Sequence, residues 1–492
     1  MLSVVQHDRV CSLIYSHLGH VPTADQRRAC GEIVNFLFDE DECAAFVLKG
    51  YAGTGKTSLV SALIKSAPRL KIRTQLMAPT GRAAKVLSAY SGRKAYTIHK
   101  RIYTTVPDSD GMLHTVRAAN KFSYTLFIVD EASMIGRNHD VGSGRNLLDD
   151  LIDYVLEGNH CRLLLIGDGA QLPPVGAAES PALQADVLEA ISPLHIRESE
   201  LTEVVRQGNQ SGILRCATTL RNEIVRTRSA YSVELPLMDV RGKADMVRLP
   251  GADLEEALNS EYSHHGEQGV VVVCRSNKRA NLFNQAIRSR VLFKEGELCT
   301  GDLLMVVKNN YHWLESSSAM GFIANGDIVE VLAVRRQQEL YGFHFAQVTL
   351  RFVDYPDEAN LDCTLLLETL MSEAPALSQA DGQRLFASVM EDYMHLHTQA
   401  ERLAAVHEDA YFNALQVKFA YSLTCHKTQG GQWPVVFVEQ GYLTDDMLDR
   451  EYLRWLYTAC TRAKDRLYLI NFRDDFFADG AFELSDDMPS DI

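Results

Sequence analysis

The segment Gly50-Tyr51-Ala52-Gly53-Thr54-Gly55-Lys56-Thr57 constrains this chain more than any other. It fits the pattern G-x4-G-K-[ST] and lies between an apolar run, AAFVLKG at 44–50, and a stretch of helical pattern. A glycine-rich turn from strand to helix lets backbone N–H groups close around one anion, and the helix N-terminus adds partial positive charge. The pattern predicts an α/β sheet with a nucleoside triphosphate at the carboxyl edge of its strands. Gly53, Thr54 and Gly55 form the cradle, Lys56 brings charge to the β- and γ-phosphates, and Thr57 offers a hydroxyl to Mg²⁺.

Further apolar runs at 72–78, 124–130 and 161–167 alternate with helical stretches such as 147–156, as a parallel sheet with helices on both faces requires. Residues 24–38 read as a helix with Thr23 as its N-cap. A second series opens with GVVVVCR at 269–275, followed by a helical stretch over 277–291. It is completed by 416–423, 433–439 and 465–471. The interruption holds β-like segments at 302–307, 326–334 and 345–353, then a helical part over 364–410.

The run Leu126-Phe127-Ile128-Val129-Asp130-Glu131 brings two carboxylates to the ligand edge of a buried strand. Asp130 is placed to hold Mg²⁺, and Glu131 to orient or deprotonate an attacking water. A third apolar run ends in Gly167-Asp168-Gly169-Ala170-Gln171-Leu172-Pro173-Pro174, where Gln171 is placed to sense the γ-phosphate. With the loop at 50–57, the acid pair predicts NTP hydrolysis.

In order and context, Lys56, Asp130-Glu131 and Gln171 resemble the superfamily 1 helicases. Ala78-Pro79-Thr80-Gly81-Arg82-Ala83-Ala84 resembles motif Ia, and Thr97-Ile98-His99-Lys100 motif Ib. Leu201 to Gln207 resembles motif IV, Ser422 to Gly431 motif V, and Tyr457 to Ala463 motif VI. The wordings TGRAA, TIHK and CHKTQG are similar to the RecD/Dda-type, 5′-to-3′ branch. Gln432 stands where many members carry an acid after the motif V glycines.

The resemblance implies two RecA-like P-loop motor domains with parallel sheets, the second interrupted by an SH3-like β-rich insertion and a helical acidic segment. It implies a division into an N-terminal helical segment (1–22), a first motor domain (23–210), a second (211–300 and 413–472), an insertion (301–412) and an acidic, weakly ordered tail (473–492). Gln26 takes the part of the adenine-reading glutamine, and Gly431 lies on the nucleotide as well. Arg206 and Arg462 take the part of the two arginines that reach the γ-phosphate from the second domain. Thr80, Arg82, Lys85, His99, Lys100, Thr424, His426 and Lys427 are the expected DNA contacts. Asp-Ser-Asp-Gly at 108–111 predicts a hairpin over 103–117, the place of the family's strand-splitting pin.

A net charge of -15 argues against a nucleic-acid partner until its distribution is read. Residues 351–412 carry -9 and residues 473–492 carry -6, the whole excess. From Lys65 to Arg101 there are ten Lys or Arg and no acid, with Tyr90, Tyr96 and His99 interleaved as base-stacking candidates. A basic track for single-stranded DNA and duplex junctions is expected there, and the acidic insertion and tail are candidate protein-partner surfaces. His395 and His397 with Glu391 read as solvated helix residues, since i and i+2 do not share a helix face.

Ten cysteines, no two closer than 13 positions, form no metal or disulfide framework and fit a reducing, cytoplasmic compartment. No apolar run reaches 18 residues, so no membrane span is expected. The sequence predicts an ATP- and Mg²⁺-dependent DNA helicase. The alternative is a DNA-stimulated ATPase or single-strand binding subunit of a larger complex, without unwinding of its own.

Overall fold

A computed structural model describes residues 3–38, 44–107, 113–137, 146–192, 195–205, 211–227, 233–235, 237–314, 320 and 322–478. In chain order the first domain contains β1 (Ala44–Gly50), β2 (Arg73–Ala78), β3 (Ala95–Thr97), β4 (Tyr103–Pro107), β5 (Leu113–Arg117), β6 (Thr125–Val129), β7 (Arg162–Gly167) and β8 (His195–Leu201). All but β4 and β5 form one parallel sheet in the order β3-β2-β6-β7-β1-β8. The middle strands have no solvent face: every residue of β6 is buried, and all but the first of β7. Two apolar layers cover the sheet, one built on Phe46, Leu48, Leu63 and Ile128, the other on Val47, Phe127, Val129 and Leu165.

β8 was not expected. Its sequence HIRESEL has no apolar run, because an edge strand pairs on one side only. It pairs with β1 from Ala44↔His195 to Gly50↔Leu201.

The second domain adds β9 (Met246–Leu249) and β10 (Val270–Cys274). The insertion follows as β11 (Leu303–Val306), β12 (Ile328–Leu340), β13 (Phe343–Phe352), β14 (Leu361–Leu366) and β15 (Leu415–Phe419), a closed barrel consistent with the SH3-like expectation. β16 (Ser422–Thr424), β17 (Trp433–Glu439) and β18 (Ala463–Ile470) then return to the second sheet, whose order is β16-β10-β17-β18-β9, all parallel.

Three readings need correction. The segment 416–423 is not one strand of the second sheet: β15 closes the barrel against β11 and β14, and only β16 pairs with β10. The segment 364–410 is not helical throughout, since its first residues belong to β14. Helices Glu368–Met371, Gln379–Asp392 and Gln399–Glu408 follow, the last two packing Leu385, Val389 and Val406 on Phe343, Phe345 and Leu366. The tail does not begin at 473 as a loose end, because Phe476 and Phe477 are buried in the second domain's core.

No helix among the described residues is long and apolar enough to cross a membrane, and the described cysteines are free thiols. Among those residues no group of three or more His, Cys, Asp or Glu is arranged to hold a metal.

Candidate nucleotide site and nucleic-acid cleft

The 50–57 loop runs from the end of β1 into helix Lys56–Ser66. Gly53 and Gly55 have φ of 78° and 81°, a left-handed backbone that glycine adopts without steric cost. Lys56 Nζ donates to Gly50 O at 2.6 Å and to Tyr51 O at 2.9 Å, and lies 3.8 Å from Asp168 Oδ2.

Gln26 is fully buried against this loop. Its amide nitrogen lies 3.5 Å from Thr54 O and from Gly55 O. Its Oε1 accepts from Thr23 N in a capping box that starts helix Ala24–Leu37, as the Thr23 N-cap expectation requires. Next to it, Asp25 Oδ2 accepts from Thr202 N, Thr202 Oγ1 and Glu203 N at 2.7, 2.7 and 3.0 Å, tying motif IV to this helix. Arg206 itself lies outside the described residues.

At the end of β6, Asp130 Oδ1 accepts from Glu131 N at 2.9 Å and Oδ2 accepts from Tyr90 OH at 2.6 Å. Glu131 has φ 52°, an uncommon conformation for a non-glycine residue and one often found at functional sites. Burial raises the pKa of Asp130, against the Tyr90 hydroxyl and the Glu131 amide. Burial also pushes Glu131 up to about 7; the Asp130 charge adds to this, while Arg462 and Lys56 pull the other way. Tyr90, a base-stacking candidate in the sequence, gives its hydroxyl to the acid pair. Gln171 is buried, with its Oε1 lacking a hydrogen-bond partner among the described residues. Such orphans are rare in folded proteins and recur at functional sites.

The second domain closes this site. Arg462 is buried; its Nε donates to Thr458 O at 3.0 Å and its Nη1 to Gly431 O at 3.2 Å. Gln429 Nε2 donates to Leu172 O at 2.8 Å, and Leu172 N donates to Thr458 Oγ1 at 2.9 Å. Tyr457 OH donates to Asp168 Oδ2 at 2.7 Å. Tyr457, Thr458 and Gln429 carried no role in the sequence reading, although all three fall inside recognised motifs. Only the packed interface reveals their partners.

The expected DNA residues fall into three groups. Thr80 caps helix Gly81–Ser91 and lies against Gly430 across the interface, while Arg82 stacks on Trp433. Lys85 and Lys100 line a cleft of about 550 Å³ between this domain and the barrel. Arg93, Lys94 and Tyr96 share their wall; Phe322, Asp354, Tyr355 and Glu358 form the other. Lys85 Nζ donates to Val353 O at 2.9 Å, and the His99 ring stands edge-on to Phe322, 6.5 Å between centroids. Burial and the neighbouring Lys94 lower Lys100 to about 8.

The third group, Thr424 and Lys427, lines a recess with Asn277, Asn281 and Lys418. Burial and Lys418 bring Lys427 to about 8, and burial lowers His426.

The basic stretch is not one continuous track. Lys65 lies in the last turn of its helix and Arg73 at the start of β2, at the sheet edge opposite the phosphate loop. The hairpin arms β4 and β5 pair from Tyr103↔Arg117 to Pro107↔Leu113, and the expected turn at 108–111 lies outside the described residues.

The fold and site define two RecA-like domains that meet at a P-loop nucleotide site. A family profile described as "AAA domain" matches residues 23–233, and one described as "UvrD-like helicase C-terminal domain" matches residues 419–470. In both matches and in the order of its motifs the chain is similar to superfamily 1 helicases of RecD/Dda type. It is 27% identical over 423 residues to the ATP-dependent RecD2 DNA helicase of Deinococcus radiodurans, covering 86% of this chain and 46% of that one. It is 31% identical over 274 residues to the ATP-dependent DNA helicase dda of Enterobacteria phage T4, covering 53% of this chain and 55% of that one. The chain thus spans about half the length of these two relatives. A solved Pif1 helicase from Bacteroides aligns over 92% of both chains at 16% identity with a TM-score of 0.46.

Proposed function

We propose that the chain is an ATP-driven DNA translocase and helicase that moves 5′ to 3′ along one strand and separates duplex at a junction. The observation that carries this reading is the packing of the second domain onto the nucleotide site of the first: Tyr457 OH donates to Asp168 Oδ2 at 2.7 Å, Gln429 Nε2 donates to Leu172 O at 2.8 Å, and Thr458, which accepts from Leu172 N, holds Arg462 through its carbonyl. An arginine supplied across an interface makes hydrolysis depend on domain closure.

In this reading Glu131 accepts the proton of the attacking water. Lys56 and Arg462 stabilise charge on the γ-phosphoryl oxygens, and Gln171, whose side-chain oxygen has no hydrogen-bond partner among the described residues, senses the γ-phosphate. Thr57 and Asp130 offer the hard oxygen donors that suit Mg²⁺, and two buried carboxyls with raised pKa fit a site completed by a cation. When bound, Mg²⁺ neutralises charge between the β- and γ-phosphates. Gln26 holds the phosphate loop and orients the base, and Arg206 acts as a second arginine.

Single-stranded DNA runs past Lys85, His99 and Lys100 in the cleft and past Thr424 and Lys427 in the recess, and the 103–117 hairpin splits the duplex. The names of the two relatives support DNA as the substrate, and the RecD/Dda resemblance supports the polarity. The acidic insertion is a candidate partner surface, and buried free thiols suit a reducing, cytoplasmic compartment.

ATP turnover measured with and without single-stranded DNA tests the reading. Strong stimulation is expected, and turnover indifferent to DNA would sink it.

A further inference from the structure

Tyr457 has no part in the phosphate chemistry above, yet its hydroxyl stands in the middle of it. Its helix, Arg450–Cys460, belongs to the second motor domain. The Tyr457 oxygen accepts from Ala52 N of the phosphate loop at 2.8 Å and donates to Asp168 Oδ2 at 2.7 Å. Asp168 Oδ1 in turn accepts from Ala170 N at 2.9 Å, and its Oδ2 is the oxygen 3.8 Å from Lys56 Nζ. Tyr457 is only 1% exposed, so both bonds are shielded from bulk water. Burial and the Asp168 charge keep the phenol far above its usual range, so it is a neutral group that donates once and accepts once.

The same turn of helix also holds the arginine. Thr458 Oγ1 accepts from Leu172 N, and Thr458 O accepts from Arg462 Nε. A rigid path therefore runs from the phosphate loop and Asp168, through Tyr457 and Thr458, to the Arg462 guanidinium.

We infer that Tyr457 is a positioning residue: its hydroxyl fixes Arg462 relative to the phosphate loop and Glu131. The inference rests on the functional reading above. Movement of the loop or of Asp168 is passed to the arginine, and the two domains cannot separate without breaking two buried hydrogen bonds inside the nucleotide site. Because a buried polar group left unpaired is costly, the arrangement favours two discrete interface states over gradual sliding.

The full chain is compared with its Tyr457→Phe and Tyr457→Leu variants. Phenylalanine keeps the ring and loses the hydroxyl; leucine loses both. DNA-stimulated kcat is expected to fall between about 10- and 100-fold in both variants, with the ATP KM shifted less than about threefold, because the arginine is misplaced and the cradle kept. Hydrogen exchange at the Ala52 amide is expected to speed up in Tyr457→Phe. In an Arg462→Ala background, Tyr457→Phe is expected to add no further loss.

Wild-type kcat in Tyr457→Phe beside a damaged Tyr457→Leu would assign the residue to packing and overturn the inference. So would a full further loss in the Arg462→Ala background. Should Tyr457→Phe fail to fold, Thr458→Val, which cuts the bond from Leu172 N, is expected to give the same loss confined to kcat, and an unchanged kcat there would overturn the inference. Absence of ATP hydrolysis in the wild-type chain would defeat the functional reading and this inference together, and is seen before any variant is made.

Discussion

The guanidinium of Arg82 lies 3.8 Å from the centre of the Trp433 ring, a stack that joins the first RecA-like domain to the second. Arg82 sits in the first turn of helix Gly81–Ser91, and Trp433 opens β17 just after the motif V glycines. A cation–π contact out of water contributes up to about 2 kcal/mol. Arg82→Ala is expected to destabilise the chain by about 1–2 kcal/mol, read from chemical unfolding. Since the guanidinium is spent on the stack, the salt dependence of single-stranded DNA binding should stay unchanged. A drop in the log–log slope of about one would instead place Arg82 on a phosphate.

Glu131 must be ionised to accept a proton, and burial with Asp130 beside it raises its pKa to about 7. The acid is protonated below that value and competent above it. kcat/KM for ATP, which reports the free enzyme, is therefore expected to rise with pH through about 7. A flat profile from pH 6 to 8 would remove Glu131 as the base, the range being set about its pKa of about 7.

Lys56→Ala and Glu131→Gln should both abolish turnover, but for different reasons. Glu131→Gln keeps the phosphate cradle and is expected to bind a fluorescent ATP analogue with near wild-type affinity. Lys56→Ala removes charge from the β- and γ-phosphates and should weaken that binding by about tenfold or more. Equal loss of binding in the two variants contradicts the assignment.

The nucleotide site was legible in the sequence because its strands are buried on both faces. β1, β6 and β7 show as apolar runs, and the chemistry sits where those runs stop. What escaped had a tertiary cause. β8 needs only one paired edge and carries no apolar run. β15 and β16 are separated by two residues and serve different sheets, a division set by barrel closure that apolar content cannot reveal. Tyr90 reads as a nucleic-acid contact from its place in the basic stretch, and Arg82 from the motif Ia resemblance. Their placement depends on Asp130 and Trp433, residues 40 or more positions away in the chain.

Lys100 and Lys427 are each lowered to about 8, chiefly by burial, with a neighbouring lysine adding to it. A DNA phosphate favours the charged form and raises the pKa, so binding takes up protons above about pH 8. Affinity for single-stranded DNA should weaken as pH rises from 8 to 9, by up to about tenfold for each lysine. Lys100→Met and Lys427→Met should each flatten that dependence and lower the salt slope by about one. Unchanged profiles in both variants would take these lysines off the strand's path.

Replacing the 108–111 turn with a short glycine linker tests the hairpin. Unwinding is expected to be lost while DNA-stimulated ATP turnover stays close to wild type. Unwinding that survives in proportion to turnover would leave the hairpin passive.

Strand displacement on partial duplexes with a 5′ or a 3′ single-stranded tail, made in DNA and in RNA, tests the central claim most directly. ATP-dependent separation of the DNA duplex with the 5′ tail, and little from the 3′-tailed one, is the expected result. Separation from the 3′ tail alone would contradict the polarity. Robust DNA-stimulated turnover with no separation of either substrate would contradict the helicase reading and leave the chain a DNA-stimulated ATPase.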